Sequence, residues 1–139
     1  MSKKRKNLPP RTAPTTKEKR KLKKDALSTY FIHHIGRCGY SENSGVRISQ
    51  PNKANICHIF PKSNHPSVQA NLDNCIYLTL DEHTQLDQWL FKHMFDKVEQ
   101  NMPRAWELIK QRIAKVAPLV EEKTRFYFAI LDYIDERNF

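Results

Sequence analysis

CHIFPKSNHPSVQANLDNCIYLTLDEHTQLD, residues 57–87, gathers three histidines, two cysteines and several carboxylates or amides into thirty-one residues. Its apolar pattern sets the fold. Ala54–Phe60 is apolar enough for a strand and is stopped by Pro61. Residues 62–73 carry Ser63, Asn64, Pro66, Ser67, Asn71 and Asp73 and read as an extended loop. Ile76, Leu78 and Leu80 alternate with polar or partly polar neighbours, which predicts a second brief extended segment. A helix is expected from near Asp81, with Leu86, Leu90, Met94, Phe95 and Val98 as its apolar stripe.

Outward from this stretch, Gly36, Gly39 and Gly45 are the only glycines of the chain and mark turns between Ile35 and Val46. Val46–Ser49 is a short strand candidate, stopped at Pro51-Asn52. Downstream, Asn101 and Pro103 reset the chain. Trp106, Ile109, Ile113 and Val116 recur at helical spacing, Pro118 interrupts, and a last helix runs toward Arg137 with Val120, Tyr127, Ile130, Leu131 and Ile134 inside. Lys17–Tyr30 has helical composition. The class expected is α+β, with short strands, a loop, a ligand-bearing helix and packing helices.

The 139 residues suffice for one compact domain. No apolar run reaches the roughly 20 residues a membrane helix needs, and the charged start predicts no secretory signal. Three cysteines without a CxxC pair argue against a disulfide framework and against a four-cysteine zinc knuckle, so a reducing cytoplasm is expected. The net charge of +9 is uneven: residues 1–24 hold eleven Lys/Arg and one Glu, whereas the other 115 hold thirteen Lys/Arg against fourteen Asp/Glu. Residues 1–24 therefore read as a disordered basic arm suited to a polyanion such as nucleic acid.

His83 and Asp87 are four apart on the expected helix, so imidazole and carboxylate lie one turn apart on one face and can share a divalent ion. His58 sits near a strand end. An imidazole there has the ordinary pKa for deprotonating water at neutral pH, and it also suits a half-buried histidine satisfied by a backbone carbonyl. Asn74 follows a turn, where a side-chain amide can tie loop to backbone.

Taken in order, C-H-I-F-P-K at 57–62, N-C-I-Y-L at 74–78 and H-T-Q-L-D at 83–87 resemble the H-I-x-P, N-x-L-x-L and H-x-x-F-D segments of the HNH endonuclease family. R-C-G-Y-S-E-N-S-G at 37–45 is similar to the turn that often opens that module. The resemblance covers about Arg37 to Leu90. It implies a ββα-metal core with flanking and C-terminal helices, hence a basic tail at 1–24, a nuclease domain at 25–100 and packing helices at 101–139. By the same resemblance His58 is the general base, His83 a ligand of a single divalent metal ion (Mg2+, Mn2+ or Zn2+), Asp87 a second ligand or an orienting group, and Asn74 the brace of the catalytic loop. The implied reaction is hydrolysis of DNA phosphodiester bonds, leaving a 5′ phosphate. Lys62 and Arg37, with Lys3, Lys4, Arg5 and Lys6 of the arm, are the expected phosphate contacts.

One residue departs from the family's pattern. The position before the general base is often Asp or His and ligates the metal; here it is Cys57. Neighbours on a regular strand point to opposite faces, so two readings stand: a thiolate ligand that favours zinc over magnesium, or a small buried apolar residue. Two other functions compete with the nuclease: a catalytically inactive nucleic-acid binder on the same fold, and an assembly protein, as a homodimer or within a phage or replication complex. His65 is expected to be exposed, Cys75 to be a buried thiol, and Trp89 and Trp106 to belong to the core.

Overall fold

A three-residue β-ribbon is the hinge of the architecture. The computed structural model describes residues 16–17 and 39–137. The expectations for Lys3, Lys4, Arg5, Lys6 and Arg37, and nearly all of the basic arm and of the Lys17–Tyr30 helix, therefore lie outside the described residues. Strand β1 (Ile56–His58) pairs antiparallel with β2 (Cys75–Tyr77) in the register Ile56↔Tyr77, Cys57↔Ile76, His58↔Cys75. A ribbon this short is marginal alone, and here both faces are covered. Cys57 and Ile76 enter a large core with helical residues, while Ile56, Cys75 and Tyr77 form a second cluster with Ile48 and Leu72. Two covered faces also explain why residues 75–78 are all buried instead of alternating.

Asn55 extends the ribbon. Its amide donates to Leu78 O (2.9 Å), and its carbonyl accepts from Leu78 N (2.8 Å). The same side chain accepts from Asn52 N, and Asn52 Oδ1 in turn accepts from Ala54 N, closing a short 3-10 turn at Lys53–Asn55.

Four helices follow among the described residues: α1 (Leu80–Phe91), α2 (Phe95–Asn101), α3 (Pro103–Val116) and α4 (Arg125–Arg137). The sequence T-L-D-E starts α1 with a capping box: Thr79 Oγ1 accepts from Glu82 N, and Glu82 Oε1 accepts from Thr79 N. Pro103 opens α3, where its missing N–H costs nothing. Ala105, Trp106, Ile109, Ile113 and Val116 then bury one face. Thr124 caps α4 through Tyr127 N (3.1 Å). A single apolar core runs from Cys57 in β1 to Ile134 in α4.

Several local expectations are corrected. The helix of residue 81 onward does not continue through Val98: the chain turns at His93, which takes a left-handed φ of 56°, and restarts at Phe95. That backbone is uncommon for a non-glycine residue, and the His93 ring stacks on Phe95 (5.6 Å, 14°) at the corner. Val46–Ser49 forms no strand; Tyr40 and Arg47 make an isolated bridge. Leu80 belongs to the first turn of α1 and is exposed, not to an extended segment. The loop at 62–73 contains 3-10 turns, Pro66–Val68 and the start of Leu72–Asn74. In α4 Phe126, Ile130 and Ile134 are buried, whereas Tyr127 and Leu131 only flank the core, and Val120 is buried ahead of the helix.

The turn at residues 41–45 staples these parts together. Ser41 Oγ and Asn43 Nδ2 donate to the two carboxylate oxygens of Glu82 (2.6 and 3.1 Å). Glu42 accepts from Tyr77 N on the β2 edge and pairs with Arg112 of α3 (2.6 Å). The N-terminus of α1 is thus fixed against the ribbon, which sets the rotation of its His83–Asp87 face.

Candidate metal centre

Cys57, His83 and Asp87 converge. One sulfur, one nitrogen and one oxygen from them lie within 4.8 Å of one another, the one such group of three or more potential metal ligands among the described residues. Each donor has a structural reason to be there. Cys57 is fully buried in β1, opposite Ile76, and its thiol donates to Asp87 Oδ1 (3.3 Å). His83 Nδ1 donates to the Ala54 carbonyl (2.6 Å), which directs Nε2 toward Asp87 Oδ2 (3.1 Å). A carbonyl only accepts, so the bond fixes the proton on Nδ1 and leaves Nε2 as the coordinating atom of the neutral ring. Asp87, with a side chain 58% exposed, opens the cluster to solvent.

The electrostatics are those of a carboxylate surrounded by two protons. The hydrogen bond to Asp87 is the chief reason the His83 pKa is raised above its ordinary value. Burial pulls the Asp87 carboxyl upward, but His83 and the Cys57 thiol hold it below the ordinary range. Burial, then the Asp87 charge, pushes the Cys57 thiol well up. A divalent cation is the natural substitute for two protons at one carboxylate.

The spacing fits an ion. Metal–ligand lengths of about 2.0–2.3 Å in tetrahedral geometry put neighbouring ligand atoms roughly 3.3–3.6 Å apart. Cys57 Sγ lies 3.3 Å from Asp87 Oδ1 and His83 Nε2 lies 3.1 Å from Asp87 Oδ2, so each contact separately is close to that range, at a different carboxylate oxygen.

His58 is not among the three grouped donors. The pleat places its neighbour Cys57 on the α1 side, while His58 is in register with Cys75 of the second cluster. His58 Nε2 lies 3.1 Å from the Gln69 carbonyl, so Nε2 carries the proton and Nδ1 the lone pair of the neutral ring. Burial is the main cause of a pKa below the ordinary histidine value; Lys62 and His83 lower it further, while the Gln69 bond and Asp87 oppose. His58 thus lies within the electrostatic influence of both His83 and Asp87.

Asn74 closes the loop between the strands. It is fully buried; Oδ1 accepts from Phe60 N (2.8 Å), and Nδ2 donates to Phe60 O (3.0 Å) and Val68 O (3.3 Å). Lys62 is exposed on that loop. His65, expected in solvent, is buried instead. Its ring bridges the Pro61 carbonyl (3.0 Å) and Thr124 Oγ1 (2.7 Å) and packs edge-on against Phe60. Ser67 adds a second tie to the segment before α4, through Glu122 (2.5 Å). Cys75 is a buried thiol and Trp106 is core, as expected; Trp89 is partly buried against the core.

Sequence reasoning did not find Asn55, Gln69, Ala54 or the Ser67–Glu122 tie. Gln69 and Ala54 act through backbone carbonyls, which leave no side-chain signature. Asn55 lay in view beside the strand, and the N-x-x-N pattern from Asn52 was its available signal. Compared with models of protein families, with curated proteins and with solved structures, the chain finds no match.

Proposed function

We propose that this protein is a metal-dependent endonuclease of the HNH type, hydrolysing phosphodiester bonds of DNA. The observation that carries the reading is the convergence of Cys57, His83 and Asp87, with a carbonyl-anchored imidazole at the very next position, His58. Cys57, His83 and Asp87 would hold the ion, which when bound would supply charge neutralisation at the scissile phosphate and the departing 3′ oxygen. His58 takes the proton of the attacking water while its ring stays anchored on the Gln69 carbonyl. The imidazolium so formed is favoured by that carbonyl and by the Asp87 charge. The water oxygen bonds to phosphorus as the bond to the 3′ oxygen breaks, leaving a 5′ phosphate. Asn74 braces the loop carrying Lys62, and Lys62, Arg37 and the arm residues Lys3, Lys4, Arg5 and Lys6 contact phosphates without reading bases.

A second reading rests on the same Gln69 bond, which a purely structural histidine would also make: a catalytically inactive nucleic-acid-binding or assembly protein on an HNH-like fold. Supercoiled plasmid incubated with magnesium, manganese, zinc or nickel, beside a His58→Ala variant, separates the two. Ion-dependent nicking that the variant loses is expected. DNA binding that is equal in both proteins, with no cleavage under any ion, would favour the second reading.

A further inference from the structure

We infer that the Cys57–His83–Asp87 centre selects a thiophilic divalent ion, zinc in the first place, and discriminates against magnesium. The inference rests on the metal centre of the proposed function but not on nuclease activity. Donor chemistry carries it. Magnesium takes oxygen ligands in near-ideal octahedral geometry and keeps most of its water, whereas thiolate and imidazole suit zinc. Here two of three donors are sulfur and nitrogen, and only Asp87 offers oxygen.

Cys57 cannot easily be bypassed. It is fully buried, held by ribbon pairing opposite Ile76, and its sulfur lies 3.3 Å from the Asp87 carboxylate. The sulfur, the imidazole nitrogen and a carboxylate oxygen lie within 4.8 Å of one another, so an ion bound by all three has sulfur as a ligand, and sulfur is a poor partner for magnesium. His83 is pre-oriented by the Ala54 carbonyl (2.6 Å), the arrangement by which outer partners raise the basicity of a ligating imidazole. The solvent-facing side of Asp87 leaves room for a further, exchangeable ligand, as at three-ligand zinc sites that bind substrate, unlike closed four-ligand structural ones.

The test uses the full-length protein, stripped with chelator and titrated with cobalt as a spectroscopic probe. The expected result is a near-ultraviolet sulfur-to-cobalt charge-transfer band. Zinc should abolish it at stoichiometric concentration, and magnesium should fail to do so even at more than about a hundredfold excess. Cys57→Ser should lose the band and weaken zinc binding by at least the roughly 10–100-fold typical of losing an outer partner. Magnesium displacing cobalt as readily as zinc, cobalt bound without the band, or no bound cobalt would each overturn the inference. The wild-type competition decides the matter even if the variant fails to fold. Zinc selectivity without any DNA cleavage would leave this inference standing and sink the nuclease; magnesium-driven cleavage without the band would do the reverse.

Discussion

Replacing Asn74 by Ala removes the side chain that joins the two ends of the loop between the strands. Three groups lose a partner: Phe60 N (2.8 Å), Phe60 O (3.0 Å) and Val68 O (3.3 Å). Val68 O keeps the Asn71 amide (3.1 Å), so the cost falls on the N–H and C=O of Phe60, itself fully buried. A buried group left unsatisfied costs about 1–3 kcal/mol, giving about 2–6 kcal/mol for the two. Set against a typical total of about 5–15 kcal/mol, this is a large fraction of the stability. In urea, where slopes run about 1–3 kcal/mol per molar, the unfolding midpoint should fall by on the order of 1–3 M with an unchanged slope. Equilibrium unfolding followed by far-ultraviolet circular dichroism measures it. A variant within about 0.5 kcal/mol of the parent, the range of an ordinary surface substitution, would refute the claim that Asn74 holds this loop.

Three further outcomes are expected. Burial raises the Glu82 carboxyl, but bonds from Ser41, the Thr79 amide, Ser44 and Asn43 bring it down to about 2 from an ordinary 4.5. Its stabilising effect is therefore complete above pH 4.5 and lost as the pH falls toward 2, and Glu82→Gln should flatten that part of the acid-unfolding curve; an unchanged acid limb would contradict the assignment. Glu42 and Arg112 have side chains only 24% and 23% exposed, so they are less screened than a surface pair. A double-mutant cycle with Glu42→Gln and Arg112→Met should give a coupling of about 1–3 kcal/mol, and a value near zero would show that the staple of the β2 edge is not energetic. Thr124→Val removes both the cap of α4 and the hydroxyl on His65; a loss of about 1–2 kcal/mol in thermal unfolding is expected, and no loss would argue against this tie.

The parts legible in the sequence were those with local causes. The strand expected at Ala54–Phe60 exists only as Ile56–His58, ending ahead of Pro61, whereas α1 places His83 and Asp87 one turn apart as their spacing demands. That neighbours on β1 point to opposite faces was legible, but which of them meets α1 was not: Cys57, and not His58, joins His83 and Asp87. What escaped had distant causes. His65 looked like a loop residue because Thr124, its partner, lies 59 positions away. The stripe from Leu86 to Val98 keeps helical spacing across His93, so periodicity alone conceals the reversal there. Val46–Ser49 has strand-like residues, but among the described residues its pairing is the isolated Tyr40–Arg47 bridge with its two flanking backbone bonds, too little to make a ladder.

The central claim is that His58 supplies chemistry beside an ion held by other residues. Its most direct measurement is bound metal and plasmid nicking determined on one preparation each of the parent and His58→Ala. The account predicts that the variant retains the parent's metal content and loses nicking. Equal nicking by both proteins would contradict it.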